Sequence, residues 1–286
     1  MSSFASYDGT RLAYTETGSG PRLVCLPGGP GRASTYLEDL GGLSSERTLV
    51  LLDARATGHS EVPADPSTLR FDRLADDVEA LRVHLGEEKL DLLGHSAGTV
   101  VAQAYAAAHA DRLRSLVLVT PVDVLQHGGP SPRVDVPELR AARAGESWYA
   151  DAAEAAEALA MASPGQAQAL QRAVRPFYYG RWEQRQQEHA ATADRQMSRR
   201  AELGFVTSWD AVAAPALVEA LGGLQAPVLV IGGSRDAATG VAACHTVAAS
   251  FLRAETVVLP RAGHFPWVDE PEAFQAAVAD FLGRVP

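Results

Sequence analysis

The sequence predicts an α/β chain: a mostly parallel central sheet covered by helices on both faces and interrupted by an all-helical insertion. Three observations carry this. Short apolar runs alternate with helical patterns as far as residue 121, residues 122–213 hold helical patterns without a strand, and the alternation resumes from Pro227 onward. Parallel strands buried on both faces read as continuous apolar runs, and each parallel pair needs a crossover, usually a helix.

The elements follow in order. Arg11–Thr17 reads as a strand ended by the turn Gly18-Ser19-Gly20-Pro21. Leu23–Leu26 is an apolar run ending in Pro27-Gly28-Gly29-Pro30-Gly31, and Thr48–Asp53 is another, ending in the loop Ala54–Ser60. Leu74, Val78, Leu81 and Leu85 lie on one face of a helix over Phe71–Leu85. Leu90–Leu93 runs into Gly94-His95-Ser96-Ala97-Gly98, followed by the Ala-rich helical stretch Thr99–Ala108. Leu116–Thr120 is a strand stopped by Pro121. Helical stretches then cover Glu146–Ala162, Gly165–Ala173, Arg181–Arg200 and Ala211–Ala220. The strand Val228–Ile231, the helix Val241–Phe251, the strand Thr256–Leu259 and the helix Glu272–Leu282 close the chain. Residues 1–121 and 214–286 are thus the expected core, and 122–213 a cap over one end of the sheet.

Composition narrows the class. With 286 residues, 47% of them hydrophobic, the chain can bury a sizeable core and is not disordered. A net charge of −10 repels phosphate backbones and argues against nucleic acid as a partner. Cys25 and Cys244 sit in apolar stretches and read as core residues in a reducing compartment. The N-terminus lacks the basic start and apolar run of a signal peptide, and no stretch has bilayer-spanning length; the expectation is a cytoplasmic protein with no membrane partner. No His-Glu-x-x-His, paired cysteines or nucleotide-binding glycine motif appears, so neither metal nor cofactor is expected.

The strongest chemical signal is Gly94-His95-Ser96-Ala97-Gly98, a G-x-S-x-G between strand and helix. A Gly/Ser turn can match five residues by chance; a strand before and a helix after are far rarer together. In that setting the serine occupies a strained turn that pushes its hydroxyl into a cleft. A serine nucleophile needs a base and an acid that orients it, in the chain order Ser, acid, His. Asp236 follows the strand Val228–Ile231 and His264 follows Thr256–Leu259, both on the sheet edge that carries Ser96. His84 and His245 lie in helices, His95 adjoins the serine, and the remaining histidines precede Asp236. The bland readings are a helix-capping Asp236 and a surface His264. A backbone N–H in the glycine loop after Leu26, with Gly29 favoured, would pair with that of Ala97 as an oxyanion hole. Pro30 biases Gly29 toward an extended backbone.

With these residues the chain resembles α/β-hydrolases and is similar, more narrowly, to the proline iminopeptidase family. The resemblance rests on Gly28–Gly31, on Asp-x-Arg-x-x-Gly-x-Ser at Asp53–Ser60, and on the serine motif; it covers essentially the whole chain. It implies the triad Ser96, Asp236 and His264 and the release of an N-terminal residue from a small peptide or aminoacyl amide. It further implies that Glu183, after Trp182, and Glu202 receive the substrate's free amino group. Two carboxylates under a cap would select a cation, whereas most glutamates are solvated helix-surface residues.

Three departures stand out: Pro27 replaces the family's histidine, His95 and Ala97 replace its Gly and Trp around the serine, and Leu203-Gly204-Phe205 replaces an aromatic and histidine pattern. They predict a roomier pocket and a preference not confined to proline. The rival readings are an esterase, thioesterase or amide hydrolase of small molecules, and a catalytically dead fold used for binding. The ordered Ser, Asp and His argue against the second.

Overall fold

The computed structural model describes residues 1–129, 135–159, 161–206 and 214–285. Eight strands form one sheet: β1 (Ser2–Ala5), β2 (Arg11–Thr17), β3 (Arg22–Leu26), β4 (Thr48–Leu52), β5 (Leu90–His95), β6 (Leu113–Val119), β7 (Val228–Gly233) and β8 (Ala254–Leu259). Their spatial order is β1-β2-β4-β3-β5-β6-β7-β8. The pairings of β2 with β1 and β4 are antiparallel, and every pairing from β4 to β8 is parallel.

Side chains alternate across each strand, and the two faces fill separate cores. Val24, Leu92, Leu116 and Val230 face α1 (Phe71–Leu85) and α2 (Ala97–Ala108). Their chain neighbours Leu23, Leu93, Val117 and Leu229 face the layer that holds Trp267, Phe274 and Phe281. Cys25 and Cys244 are buried and free. The strand β1 carries no signal in the sequence, because only Phe4 of its four residues is buried.

Between β6 and β7 the regular elements among the described residues are all helical. The segments are α3 (Val124–His127), α4 (Val136–Ala141), α5 (Tyr149–Leu159), α6 (Pro164–Ala173), α7 (Gln184–Ala191), α8 (Ala193–Gln196), α9 (Arg199–Val206) and α10 (Ala214–Gly222). The expected start at Ala211 and the boundary at 213 lie outside the described residues. One expectation is corrected: Arg181–Arg200 is not a single helix. Met197 turns extended (φ −81°, ψ 133°) and bridges to Arg32, so this segment packs against the loop after β3 instead of continuing as a helix. After β7 come α11 (Val241–Ala248), α12 (Pro266–Asp269) and α13 (Pro271–Gly283). No described helix is long and apolar enough to cross a membrane.

The Asp53–Ser60 loop is a structural clamp. Asp53 accepts hydrogen bonds from the Ser34 amide (2.8 Å) and hydroxyl (2.8 Å) and from the His59 amide (3.0 Å), tying the loops after β3 and β4 together. Arg55 is fully buried and grips both oxygens of Asp77 (2.7 and 2.6 Å), with Asp8 at 2.5 Å. Arg55→Ala would leave Asp77 buried with only the Ser6 hydroxyl among these partners. An uncompensated buried charge costs about 3–5 kcal/mol. The unfolding free energy should fall by that amount, read as a lower denaturant midpoint at an unchanged m value, and a loss below about 1 kcal/mol would contradict the clamp.

Candidate active site

Ser96 stands at the junction of β5 and α2 with φ 53° and ψ −122°, a backbone region L-residues rarely adopt. The turn is held by the Ser96 N–H donating to the Val119 carbonyl (3.0 Å) and by the Thr99 amide donating to the Ser96 carbonyl (2.9 Å). Its sharpness requires glycine on both sides: a Cβ on Gly94 would lie 2.6 Å from the Gly98 oxygen, and one on Gly98 would lie 2.5 Å from the Leu26 oxygen. Asp236 and His264 follow β7 and β8, so all three side chains come from the C-terminal ends of parallel strands.

The His264 Nδ1–H donates to Asp236 Oδ2 at 2.9 Å. Asp236 also accepts from the Ala238 amide (2.8 Å) and the Thr239 hydroxyl (2.7 Å). Burial alone would raise its carboxyl, but His264, Thr239 and Ala238 together hold it below the usual carboxylate range. Ser96, His264, Ala97 and Gly29 line one cavity of about 880 Å³, a size that suits a small molecule or short peptide. Ala97 opens α2 and so carries one of the amides that a helix leaves without an internal partner. Gly29 does not take the extended form expected before proline. Its φ is +122°, which glycine alone adopts readily, and its peptide bond to Pro30 is cis.

Sequence reasoning set His95 aside, yet it joins the two sides of the site. The His264 carbonyl can only accept, so the hydrogen bond at 2.9 Å places a proton on His95 Nε2. His95 Nδ1 then accepts from the Tyr36 hydroxyl (2.6 Å), whose oxygen accepts from the Gly28 amide (2.7 Å). One chain of hydrogen bonds thus runs from the glycine loop to the backbone of His264. Burial, with His264 adding to it, holds His95 well below the ordinary histidine range, so this link stays neutral. The position of Tyr36 in the sequence gives no hint of this role.

The helical segment between β6 and β7 reaches the same loop from the other side. The Tyr178 carbonyl accepts from the His264 amide (2.7 Å), and Asp269 Oδ2 accepts from the Gly180 (2.7 Å) and Gly263 (2.8 Å) amides.

The two expected amine-binding glutamates part company. Glu202 lines the cavity, paired with Arg199 at 2.7 Å. Glu183 does not reach it: the residue precedes α7, its side chain is 70% exposed, and Arg181 lies 3.8 Å away. Its neighbour Trp182 packs inward against Tyr179 instead. A helix start presents one side chain to the core and the next to solvent, and here the tryptophan takes the inward place.

Burial pushes the Asp269 carboxyl up to about 6 from 3.8, against the pull of the Gly180 and Gly263 amides. Folding therefore favours its neutral form. Its contribution to stability is complete below about pH 4 and is lost as pH rises through about 6. Asp269→Asn should remove that loss, since Gln186 Oε1, which has no partner, can accept from the new amide after a flip. Denaturation from pH 4 to 7 should show wild type losing up to about 3 kcal/mol relative to the variant. A difference independent of pH would contradict this.

The α/β hydrolase fold family's description matches residues 21–271. The chain is 31% identical over 121 residues to the proline iminopeptidase of Heyndrickxia coagulans, spanning 41% of this chain and 42% of that one. The chain thus covers less than half the length of the curated relatives it matches. Among solved structures, a proline iminopeptidase from Mycobacterium smegmatis is similar at TM-score 0.74 and 23% identity, over 99% of this chain and 98% of that one. An esterase from Exiguobacterium antarcticum reaches TM-score 0.73 at 18% identity over 99% of each chain. At such identities the likeness is one of fold.

Proposed function

The chain belongs to the α/β hydrolase fold family, and on that premise we propose that it is a serine hydrolase that transfers an acyl group to water through Ser96. The observation that carries this reading is the left-handed turn at Ser96, on the wall of the cavity that His264 also lines with Asp236 behind it. In the proposed reaction Ser96 Oγ attacks the acyl carbon while His264 Nε2 takes its proton. Asp236 stabilises the imidazolium that forms, and the Gly29 and Ala97 amides receive the oxyanion. The imidazolium then returns the proton to the leaving group, and water clears the acyl-enzyme by the same route.

For the substrate we infer an aminoacyl amide or short peptide with a free amino group, which Glu202 would receive. The similarity to proline iminopeptidases and the place of Glu202 on the cavity wall support this. The second reading is a hydrolase of small acyl esters. It is favoured by Arg199, which already balances Glu202, and by the exposure of Glu183.

Ser96→Ala should abolish covalent labelling by a fluorophosphonate and lower turnover by about 10⁴–10⁶-fold. Labelling that persists in the variant would overturn the assignment. Glu202→Gln separates the two substrate readings. If Glu202 meets an ammonium, kcat/KM for a free aminoacyl arylamide should fall about tenfold to a hundredfold, with little change for an acyl ester that has no amine. Equal losses on both would point to cap packing and favour the ester reading.

A further inference from the structure

Arg32 breaks the pattern that the other buried arginines follow. Three arginines are buried among the described residues: Arg32, Arg55 and Arg143. Arg55 holds Asp77 and Asp8, and Arg143 holds Glu146 at 3.2 Å. Arg32 is 6% exposed, yet no described carboxylate pairs with it. Its guanidinium meets neutral oxygens instead, at Gln196 (2.9 Å), Thr192 (2.9 Å) and the His189 carbonyl (3.4 Å). It also lies over the Tyr36 ring, 4.1 Å from the centroid. These contacts use Nε and Nη2, and Nη1 has no acceptor among the described residues. The acids nearby are engaged elsewhere: Glu38 by Arg185, Asp194 by Arg172 and Arg175, and Glu202 by Arg199.

A guanidinium does not give up its proton in a protein, so the charge is present and incompletely balanced. Burying such a charge is costly unless a counter-ion completes it. Arg32 lines the same cavity as Ser96, and its own amide bonds back to the Gly28 carbonyl (3.2 Å) in the glycine loop. The ring beneath its guanidinium is that of Tyr36, whose hydroxyl reaches His95 beside the serine. The cation therefore belongs to the wall of the reaction chamber.

We propose that Arg32 binds a carboxylate of the substrate, so that the molecule cleaved carries a free carboxylate within reach of its scissile acyl bond. A dicarboxylic half-ester has that form, and a short peptide has it at its C-terminus. The carboxylate site stands on Arg32 alone, while the statement about cleavage rests on the serine hydrolase reading.

Two measurements separate these parts. In the first, glutarate and the uncharged glutaramide are titrated calorimetrically into the full chain at matched ionic strength. Glutarate should bind about tenfold or more tightly, the scale of one charge-assisted hydrogen bond, and Arg32→Gln should erase the difference. In the second, kcat/KM is compared for the p-nitrophenyl half-ester of glutarate and for p-nitrophenyl valerate. The ratio should exceed about tenfold in wild type and approach unity in Arg32→Gln. A ratio is insensitive to general damage, because such damage lowers both terms. If Arg32→Gln does not fold, Arg32→Lys must still reduce the discrimination, since a point charge lacks the fork that matches a carboxylate. Wild type that fails to discriminate, or discrimination untouched in the variants, overturns the proposal. Glutarate binding lost in Arg32→Gln without any turnover would uphold the carboxylate site and sink the hydrolase reading.

Discussion

The backbone of Ser96 is the constraint around which the rest is arranged. A non-glycine residue at φ 53° and ψ −122° costs on the order of 1–3 kcal/mol and persists only where its surroundings over-determine it. Here they do. The strand β5 is buried along its full length, α2 is buried through most of its own, and the two approach so closely that no Cβ fits at Gly94 or Gly98. The β3 loop closes over the same turn: a Cβ on Gly28 would lie 2.8 Å from that of Ser96. The proposed nucleophile is thus held by strand, helix and loop together.

Hydrogen bonds extend this order to groups far apart in the chain. Gly28, Tyr36, His95 and the His264 backbone form one neutral chain along the cavity wall, and Tyr178, from the helical segment between β6 and β7, holds the His264 amide. Buried polar networks of this kind are useful when fully satisfied and costly otherwise, which explains why His95 must stay uncharged with a single tautomer. The same burial that neutralises His95 cannot neutralise Arg32. The cavity lining therefore sets neutral groups beside a fixed positive charge, with Glu202 and Arg199 also on its wall.

Much of this was legible in the residues because period and order are local properties. The apolar runs of β3, β5, β6 and β7 announce strands buried on both faces; Ser96 and Asp236 fall where β5 and β7 end, and His264 follows the half-buried β8. Features set by three-dimensional neighbours were not legible. The strand β1 exists because β2 offers it an edge, and the break at Met197 exists because Arg32 bridges to it. Trp182 takes the inward place that an expectation about Glu183 needed. Gly29 escapes the bias before proline because glycine admits φ +122°. Tyr36 and Arg32 carry no motif at all; their roles arise from what the segment after β3 meets in His189, Thr192 and Gln196, far along the chain.

In the proposed reaction an acyl group passes through Ser96. The direct measurement is peptide mapping by mass spectrometry of protein quenched in acid during turnover of p-nitrophenyl acetate. A single acetyl group is expected on the peptide that contains Ser96, sensitive to hydroxylamine as an ester should be. Turnover with no adduct at Ser96, or with the acyl group on another side chain, would contradict it.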